Sequence, residues 1–197
     1  GKEETTGLIT YMRTDSVQIS KEARQECAGF IREKFGAEYV PQKAPQYKSK
    51  KGAQEAHEAI RPTDVREEPL LLKAHLTTEQ FRLYSLIWHR FVASQCKNAD
   101  IATTSVKIEA GKYEFHAKGI EIRFPGFLSV LKSREGKKEE LPPLTKGEVL
   151  KLIKISSEQH WTKPPPRYTE GTLVKLLEEK GIGRPSTYAP TINTIQK

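Results

Sequence analysis

Residues 8–16 read Leu-Ile-Thr-Tyr-Met-Arg-Thr-Asp-Ser, so two apolar residues precede a dense run of reactive side chains. If residues 8–12 are extended, alternate side chains share one face, and Tyr11 and Arg13 then point the same way. The arginine can hold an anion against the tyrosine oxygen. A tyrosine nucleophile that attacks a phosphate needs this arrangement. Taken alone, the pair more often means a half-buried tyrosine beside a surface arginine.

The composition is that of a basic globular protein. The 197 residues include 33 Lys and Arg against 25 Asp and Glu, which gives a net charge of +8. This excess favours an anionic partner, in the first place a nucleic acid, although an incidental basic surface has comparable weight. The two cysteines, Cys27 and Cys96, lack metal-site spacing and fit a reducing cytoplasm. No run of about eighteen apolar residues occurs, so we expect no membrane role.

The first half of the chain predicts helices. Ser20 is a good N-cap for a helix that Gly36 ends, and Thr77 begins a capping box before a long apolar-periodic helix through Val92. Residues 53–60 have a helix-forming composition, which Pro62 interrupts. In such a helix His57 and Arg61 would share a face and could address one phosphate. A packed or surface histidine is the more common meaning of such a residue.

A lysine-rich loop is predicted between the first two helices. Residues 41–52 contain two prolines, a glycine and four lysines, with Tyr47 among them. A solvated loop is the more common meaning of this run, but it would also suit a phosphate backbone.

From about residue 100 the apolar period changes to two. Residues 101–109 and 112–117 predict a β-hairpin, and residues 120–124, 127–131 and 148–156 predict further strands. Three prolines at 164–166 then predict an extended connection.

Two helices separated by a glycine-flanked turn are predicted at the end of the chain. Thr169 caps the first, and Ile192 and Ile195 are core candidates in the second. The turn at 181–188 places a serine and a threonine at a helix N-terminus, where free backbone amides favour anions, although ordinary capping explains it as well.

Three stretches together resemble the type IA DNA topoisomerases, and they occur in that family's order. They are residues 9–16 (ITYMRTDS), residues 57–63 (HEAIRPT) and residues 177–189 (LEEKGIGRPSTYA). Met12 is typical of the bacterial topoisomerase I branch. The resemblance spans almost the whole chain and implies an α+β fold with three parts. These are a helical, tyrosine-bearing domain at 1–97, an antiparallel β domain of the topoisomerase arch at 98–166, and the first helices of a further DNA-binding domain at 167–197.

The resemblance also implies roles for individual residues. Tyr11 matches the nucleophile, Arg13 the arginine that binds the scissile phosphate, and His57 a histidine that aids DNA binding and catalysis. A phenol is protonated at neutral pH, so the nearby cation matters for its reactivity. Thr10, Thr14 and Asp15 match the motif and would fix the loop that carries Tyr11. The full set of implied DNA-binding residues is Thr10, Thr14, Asp15, Arg61, Arg184, Ser186, Thr187 and Tyr188.

The family's Mg²⁺ is held by an acidic Toprim domain. This chain contains no Asp-x-Asp-x-Asp cluster, so we expect no metal or other cofactor in it and interpret it as a central fragment, inactive alone. Its expected partners are single-stranded DNA and the Toprim domain of the same polypeptide. We expect the parent enzyme to be a cytoplasmic, nucleoid-associated monomer that cleaves one strand, passes another and religates without ATP.

A non-catalytic nucleic-acid-binding module, in which Tyr11 only packs or stacks, is the alternative. The cleavage hypothesis requires an exposed Tyr11 hydroxyl near Arg13 and His57, whereas a binding module tolerates a buried one. A tyrosine recombinase is disfavoured, because no Arg-His-Arg set surrounds a C-terminal tyrosine.

Overall fold

The computed structural model describes residues 7–12, 14, 16–47, 58–131 and 141–196. The chain divides into two compact units, residues 1–143 and residues 144–197. The described residues form five α-helices and one two-stranded antiparallel sheet, which confirms the predicted α+β class. The finer division at residues 97 and 166 stays a prediction.

Helix α1 (Lys21–Lys34) begins and ends at the predicted signals. The Ser20 hydroxyl accepts a hydrogen bond from the Ala23 N–H at 3.1 Å. Gly36 follows the helix with a φ of 114°, in the left-handed region that favours glycine. The helix buries Cys27, Phe30 and Ile31.

Three short helical segments lie between α1 and the long helix that follows. Residues Pro69–Leu72 form α2, and 3₁₀ turns span Ala37–Tyr39 and Lys73–His75.

Helix α3 (Thr78–Gln95) supplies more of the core than any other element. Its predicted capping box is confirmed, because Thr77 and Gln80 bond each other's backbone N–H. Trp88 meets Phe30 of α1 edge to face with ring centroids 5.6 Å apart. Burial raises the pKa of the Cys27 thiol to about 12 and that of Cys96 to about 11, so both thiols are protonated and unreactive in this core.

Two aromatic side chains of α3 form hydrogen bonds to the backbone of residues 65–67. The Trp88 indole N–H donates to the Val65 carbonyl at 2.9 Å, and the Tyr84 hydroxyl donates to the Glu67 carbonyl at 2.6 Å. Buried aromatics of this kind need such partners. The segment after residue 62 is therefore fixed to α3.

The predicted hairpin is confirmed and is longer than expected. Strands β1 (Asp100–Ala110) and β2 (Tyr113–Phe124) pair antiparallel around a two-residue turn in which Gly111 has a φ of 62°. The separate strand predicted at 120–124 is the second half of β2.

Two other predicted strands are wrong. Residues 127–131 were expected to be extended, but Gly126–Ser129 form a 3₁₀ turn. A Cβ on Gly126 would lie 2.5 Å from the Lys97 carbonyl oxygen, so the chain turns there in a way that only glycine allows, and Val130 enters the core. Residues 148–156 contain no strand, because this unit offers no neighbouring strand in its described part and an unpaired strand is unstable.

The second unit contains helices α4 (Glu170–Glu179) and α5 (Pro185–Ile195). Thr169 caps α4 as predicted, and Gly181, with a φ of 69°, follows its end. Ile192 is buried, as expected. Ile195 is 63% exposed within this unit, so its assignment to the core is wrong.

Replacing Ile31 with Ala should destabilise the first unit by roughly 2–5 kcal/mol, because the fully buried side chain would leave a cavity. Leu70→Ala is the matched control, since Leu70 is 76% exposed, and its cost should stay within about 0.5 kcal/mol. Urea unfolding followed by circular dichroism measures both. Equal losses for the two variants would contradict this description of the core.

Candidate functional site

The stretch before Tyr11 pairs with residues 59–63. Ile9 and Pro62 form an antiparallel bridge. The Thr10 N–H donates to the Arg61 carbonyl at 2.9 Å, and the Thr63 N–H donates to the Leu8 carbonyl at 3.0 Å. Two of the stretches singled out from the sequence are therefore adjacent, although about fifty residues separate them along the chain.

The Thr10 hydroxyl reinforces this pairing. It donates to the Ala59 carbonyl at 2.8 Å and accepts from the Arg61 N–H at 3.0 Å. One side chain thereby provides a hydrogen-bond partner for the Ala59 carbonyl and for the Arg61 N–H. This hydroxyl therefore faces the protein's own backbone and fixes the chain directly before Tyr11.

Tyr11 lies directly after this anchored stretch and is 72% exposed. The neighbouring Met12 is 74% exposed. The tyrosine is therefore open to solvent in this chain, unlike a residue buried for packing. Of its predicted companions, Thr14 is exposed, whereas Arg13, Asp15 and His57 lie outside the described residues.

Glu58 belongs to the HEAIRPT stretch, but the sequence analysis assigned it no role. Its Oε1 accepts from the Ser20 N–H at 3.0 Å and from Arg61 Nε at 2.9 Å, and its Oε2 accepts from Arg61 Nη2 at 3.2 Å. Burial alone raises the pKa of Glu58. The hydrogen bonds from Arg61 and Ser20, together with the arginine's charge, outweigh burial and hold that pKa below its ordinary value of 4.5.

Arg61 differs from its predicted placement. Residues 58–60 are not helical, so the part of the predicted helix at 53–60 that the structure describes is wrong, and Arg61 presents no helix face. Its backbone instead takes part in the ladder with Thr10. Its guanidinium binds Glu58 and the Pro62 carbonyl, and only 14% of the side chain is exposed. Its role as a DNA contact stays a prediction, and the contacts described here serve the protein's own structure.

The lysine-rich loop is described only as far as residue 47. Lys43 is exposed there. Tyr47 lies against α3, because its hydroxyl donates to the Ser94 carbonyl at 2.7 Å. The lysines at 48, 50 and 51 lie outside the described residues.

The glycine-flanked turn of the second unit is a helix cap. The Thr187 hydroxyl accepts from the Arg184 N–H at 2.8 Å, and the Arg184 side chain donates to the Gly183 carbonyl at 2.8 Å. Gly183 has a φ of 78°, and a Cβ there would lie 3.2 Å from both Thr187 and the Tyr188 ring. Ser186 is exposed and Tyr188 is half-buried. Thr187 therefore shapes the turn, while the exposed Ser186 lies at the start of α5.

The described residues do not form a site that fits a divalent cation. They contain no group of three or more His, Cys, Asp or Glu side chains placed to hold a metal. Among the described helices, none has the length and apolar character needed to span a bilayer.

Comparison with known proteins decides the family. A family profile described as DNA topoisomerase matches residues 4–197. The chain belongs to the bacterial type IA DNA topoisomerases. It is 52% identical to DNA topoisomerase 1 of Pseudomonas aeruginosa over 193 residues, which cover 97% of this chain and 22% of that protein.

A solved structure agrees with this assignment. Full-length topoisomerase I from Thermotoga maritima matches with a TM-score of 0.83 and 41% identity, over 95% of this chain and 30% of that one. The topoisomerase chain thus spans less than a third of the length of either relative.

Acid should weaken the Glu58 attachment. Because the folded pKa of Glu58 lies below the ordinary value, its stabilisation is complete above about pH 4.5 and is lost as the pH falls through the folded pKa. The difference in unfolding free energy between the wild type and Glu58→Gln should therefore shrink on acidification from about pH 7 to about pH 3. Glu33, whose pKa is also lowered by Arg66, is present in both proteins and cancels. A pH-independent difference would contradict the ion pair.

Proposed function

We propose that this chain carries the nucleophile of an enzyme that relaxes negatively supercoiled DNA by cleaving one strand, passing another through the break and religating. The observation that supports it best is the position of Tyr11. This side chain is exposed at the end of a stretch that is hydrogen-bonded to the HEAIRPT segment, within a chain of the topoisomerase family.

In the cleavage step the Tyr11 oxygen attacks a DNA phosphodiester. The new bond joins this oxygen to phosphorus, the bond from phosphorus to the 3′ oxygen breaks, and the phenolic proton ends on the released 3′ hydroxyl. The 5′-phosphate remains on the enzyme as a phosphotyrosine. Religation reverses the same exchange, so the energy of the phosphodiester is kept and no ATP is required.

Two basic residues would stabilise the negative charge that develops during cleavage. Arg13, two residues after Tyr11, would bind the scissile phosphate and stabilise the charge that develops on it. His57 precedes Glu58 and would aid binding and catalysis as a cation facing phosphate. Thr14 and Asp15 would support the tyrosine loop, and the turn carrying Arg184, Ser186, Thr187 and Tyr188 would contact the single strand.

The Mg²⁺ of the reaction would be held by a Toprim domain elsewhere in the same polypeptide, as the resemblance to the type IA family implies. The single-stranded substrate and this domain are the proposed partners. We further propose that the parent enzyme is a monomer that acts in the cytoplasm on the nucleoid.

Tyr11→Phe in the full-length enzyme should abolish the covalent adduct, because the ring remains but the nucleophilic oxygen is gone. Binding of a single-stranded oligonucleotide should persist. Denaturing electrophoresis of a labelled oligonucleotide measures the adduct, and a filter or anisotropy assay measures binding.

Tyr113→Phe is the matched control, since this tyrosine is 62% exposed in the hairpin and should retain full cleavage. An adduct that survives in Tyr11→Phe would place the nucleophile elsewhere. Binding without any adduct in the wild-type full-length enzyme would favour the non-catalytic binding module.

The isolated chain should bind single-stranded DNA weakly and should not relax supercoils. Its affinity should fall as salt rises, with a slope of log K against log salt of about −0.7 for each phosphate contacted. Titrations at several salt concentrations and a plasmid relaxation assay with Mg²⁺ measure these two properties. Robust relaxation by this chain alone would contradict the proposed division of the active site.

A further inference from the structure

Both ends of the loop that carries Tyr11 are hydrogen-bonded to one residue. We call residues 11–17 the tyrosine loop. On its N-terminal side the Thr10 hydroxyl donates to the Ala59 carbonyl at 2.8 Å, and on its C-terminal side the Gln18 carbonyl accepts from the Ala59 N–H at 2.7 Å. The peptide groups of Ala59 therefore close the base of the loop.

Within the loop, Ser16 adds a second constraint near its C-terminal end. Ser16 is buried, and its hydroxyl accepts from the Gln18 N–H at 3.2 Å. The loop thus combines a fixed base with an exposed Tyr11.

The position of Ala59 depends on the side chain before it. The Glu58 carboxylate binds the Ser20 N–H at the start of α1 and two nitrogens of Arg61. Ala59 lies between Glu58 and Arg61 in the chain, so the bonds of the carboxylate to Arg61 and to Ser20 restrain its backbone. The Arg61 side chain is mostly shielded from solvent, which strengthens the pair and makes the loss of one partner costly.

We propose that Glu58 is a positioning residue for Tyr11, because it fixes the Ala59 peptide to which both ends of the tyrosine loop are bound. This inference rests on the proposed function of Tyr11. Glu58 contacts no reacting atom. It acts through Ala59 and, across the loop base, through Thr10.

The test is Glu58→Gln in the full-length enzyme, with single-turnover cleavage of a single-stranded oligonucleotide as the readout. Glutamine keeps the size of the side chain but removes the charge that holds Arg61. The cleavage rate should fall roughly 10- to 100-fold, as expected for a misplaced nucleophile. The Kd for the same oligonucleotide should be unchanged, because no DNA contact is removed.

Glu33→Gln is the matched control. Glu33 also forms a two-point ion pair with an arginine, at 2.7 and 3.1 Å to Arg66, but that pair is exposed. This variant should cleave at the wild-type rate. A similar loss of rate in both variants would overturn the inference.

Thr10→Val provides an independent variant should Glu58→Gln fail to fold. It removes the hydroxyl that binds Ala59 and keeps the branched shape. It should lower the cleavage rate without changing the Kd, and Thr10→Ser should restore most of the rate. Combined with Glu58→Gln it should cost less than the product of the two single losses, because both act through the same peptide.

Three results would overturn the positioning role. The first is wild-type cleavage in Glu58→Gln. The second is a lower melting temperature with an unchanged cleavage rate measured below it, which would make the ion pair merely structural. The third is a weaker Kd with an unchanged cleavage rate, which would make this pair part of the DNA-binding surface.

Comparison with Tyr11→Phe distinguishes failure of the positioning role of Glu58 from failure of the proposed function. Loss of the adduct in Tyr11→Phe together with normal cleavage by Glu58→Gln would overturn the positioning role alone. An adduct that persists in Tyr11→Phe would overturn the proposed function, and the positioning role with it.

Discussion

The peptide of Ala59 is the constraint on which the candidate site depends. Its carbonyl accepts from the Thr10 hydroxyl and its N–H donates to the Gln18 carbonyl, so one residue closes a loop that belongs to a distant part of the chain. Closing a loop between distant segments costs conformational entropy. A small number of hydrogen bonds does not offset that cost, because each contributes only about 1 kcal/mol net. The hydrogen bonds of Ala59 therefore depend on packed structure that holds Ala59 itself in place.

That structure is the pair of helices α1 and α3. The Trp88 and Tyr84 tips of α3 hold residues 65–67, which continue directly from the segment that contains Ala59. The Ser20 N–H at the start of α1 holds Glu58 at the other end of the same segment. The apolar core thus fixes residues 58–67, and these residues fix the stretch before Tyr11. The position of the exposed Tyr11 thus depends on backbone hydrogen bonds, and these depend on the buried aromatic residues of α3.

The sequence predicted the elements whose signals are local. The caps at Ser20, Thr77 and Thr169 and the hairpin around Gly111 are each determined within a few residues, and all were confirmed. The predictions that failed depend on distant partners. Residues 58–60 have a helical composition but pair with the tyrosine stretch, and residues 127–131 alternate like a strand but turn where Gly126 meets Lys97. The contacts of Glu58 could not be predicted from the sequence, because its partner Ser20 lies 38 residues away.

The proposed reaction explains why an exposed nucleophile would need so firm a base. In the proposed reaction, one DNA end would be attached to the protein only through the Tyr11 oxygen between cleavage and religation, while another strand would move past it. Displacement of that end would be transmitted to the tyrosine loop, and religation would require the phosphorus to return to within bonding range of the 3′ hydroxyl. A loop held at one end would pivot about that end. Because Ala59 is hydrogen-bonded at both ends of the loop, a displacement of Tyr11 would have to be absorbed between residues 10 and 18.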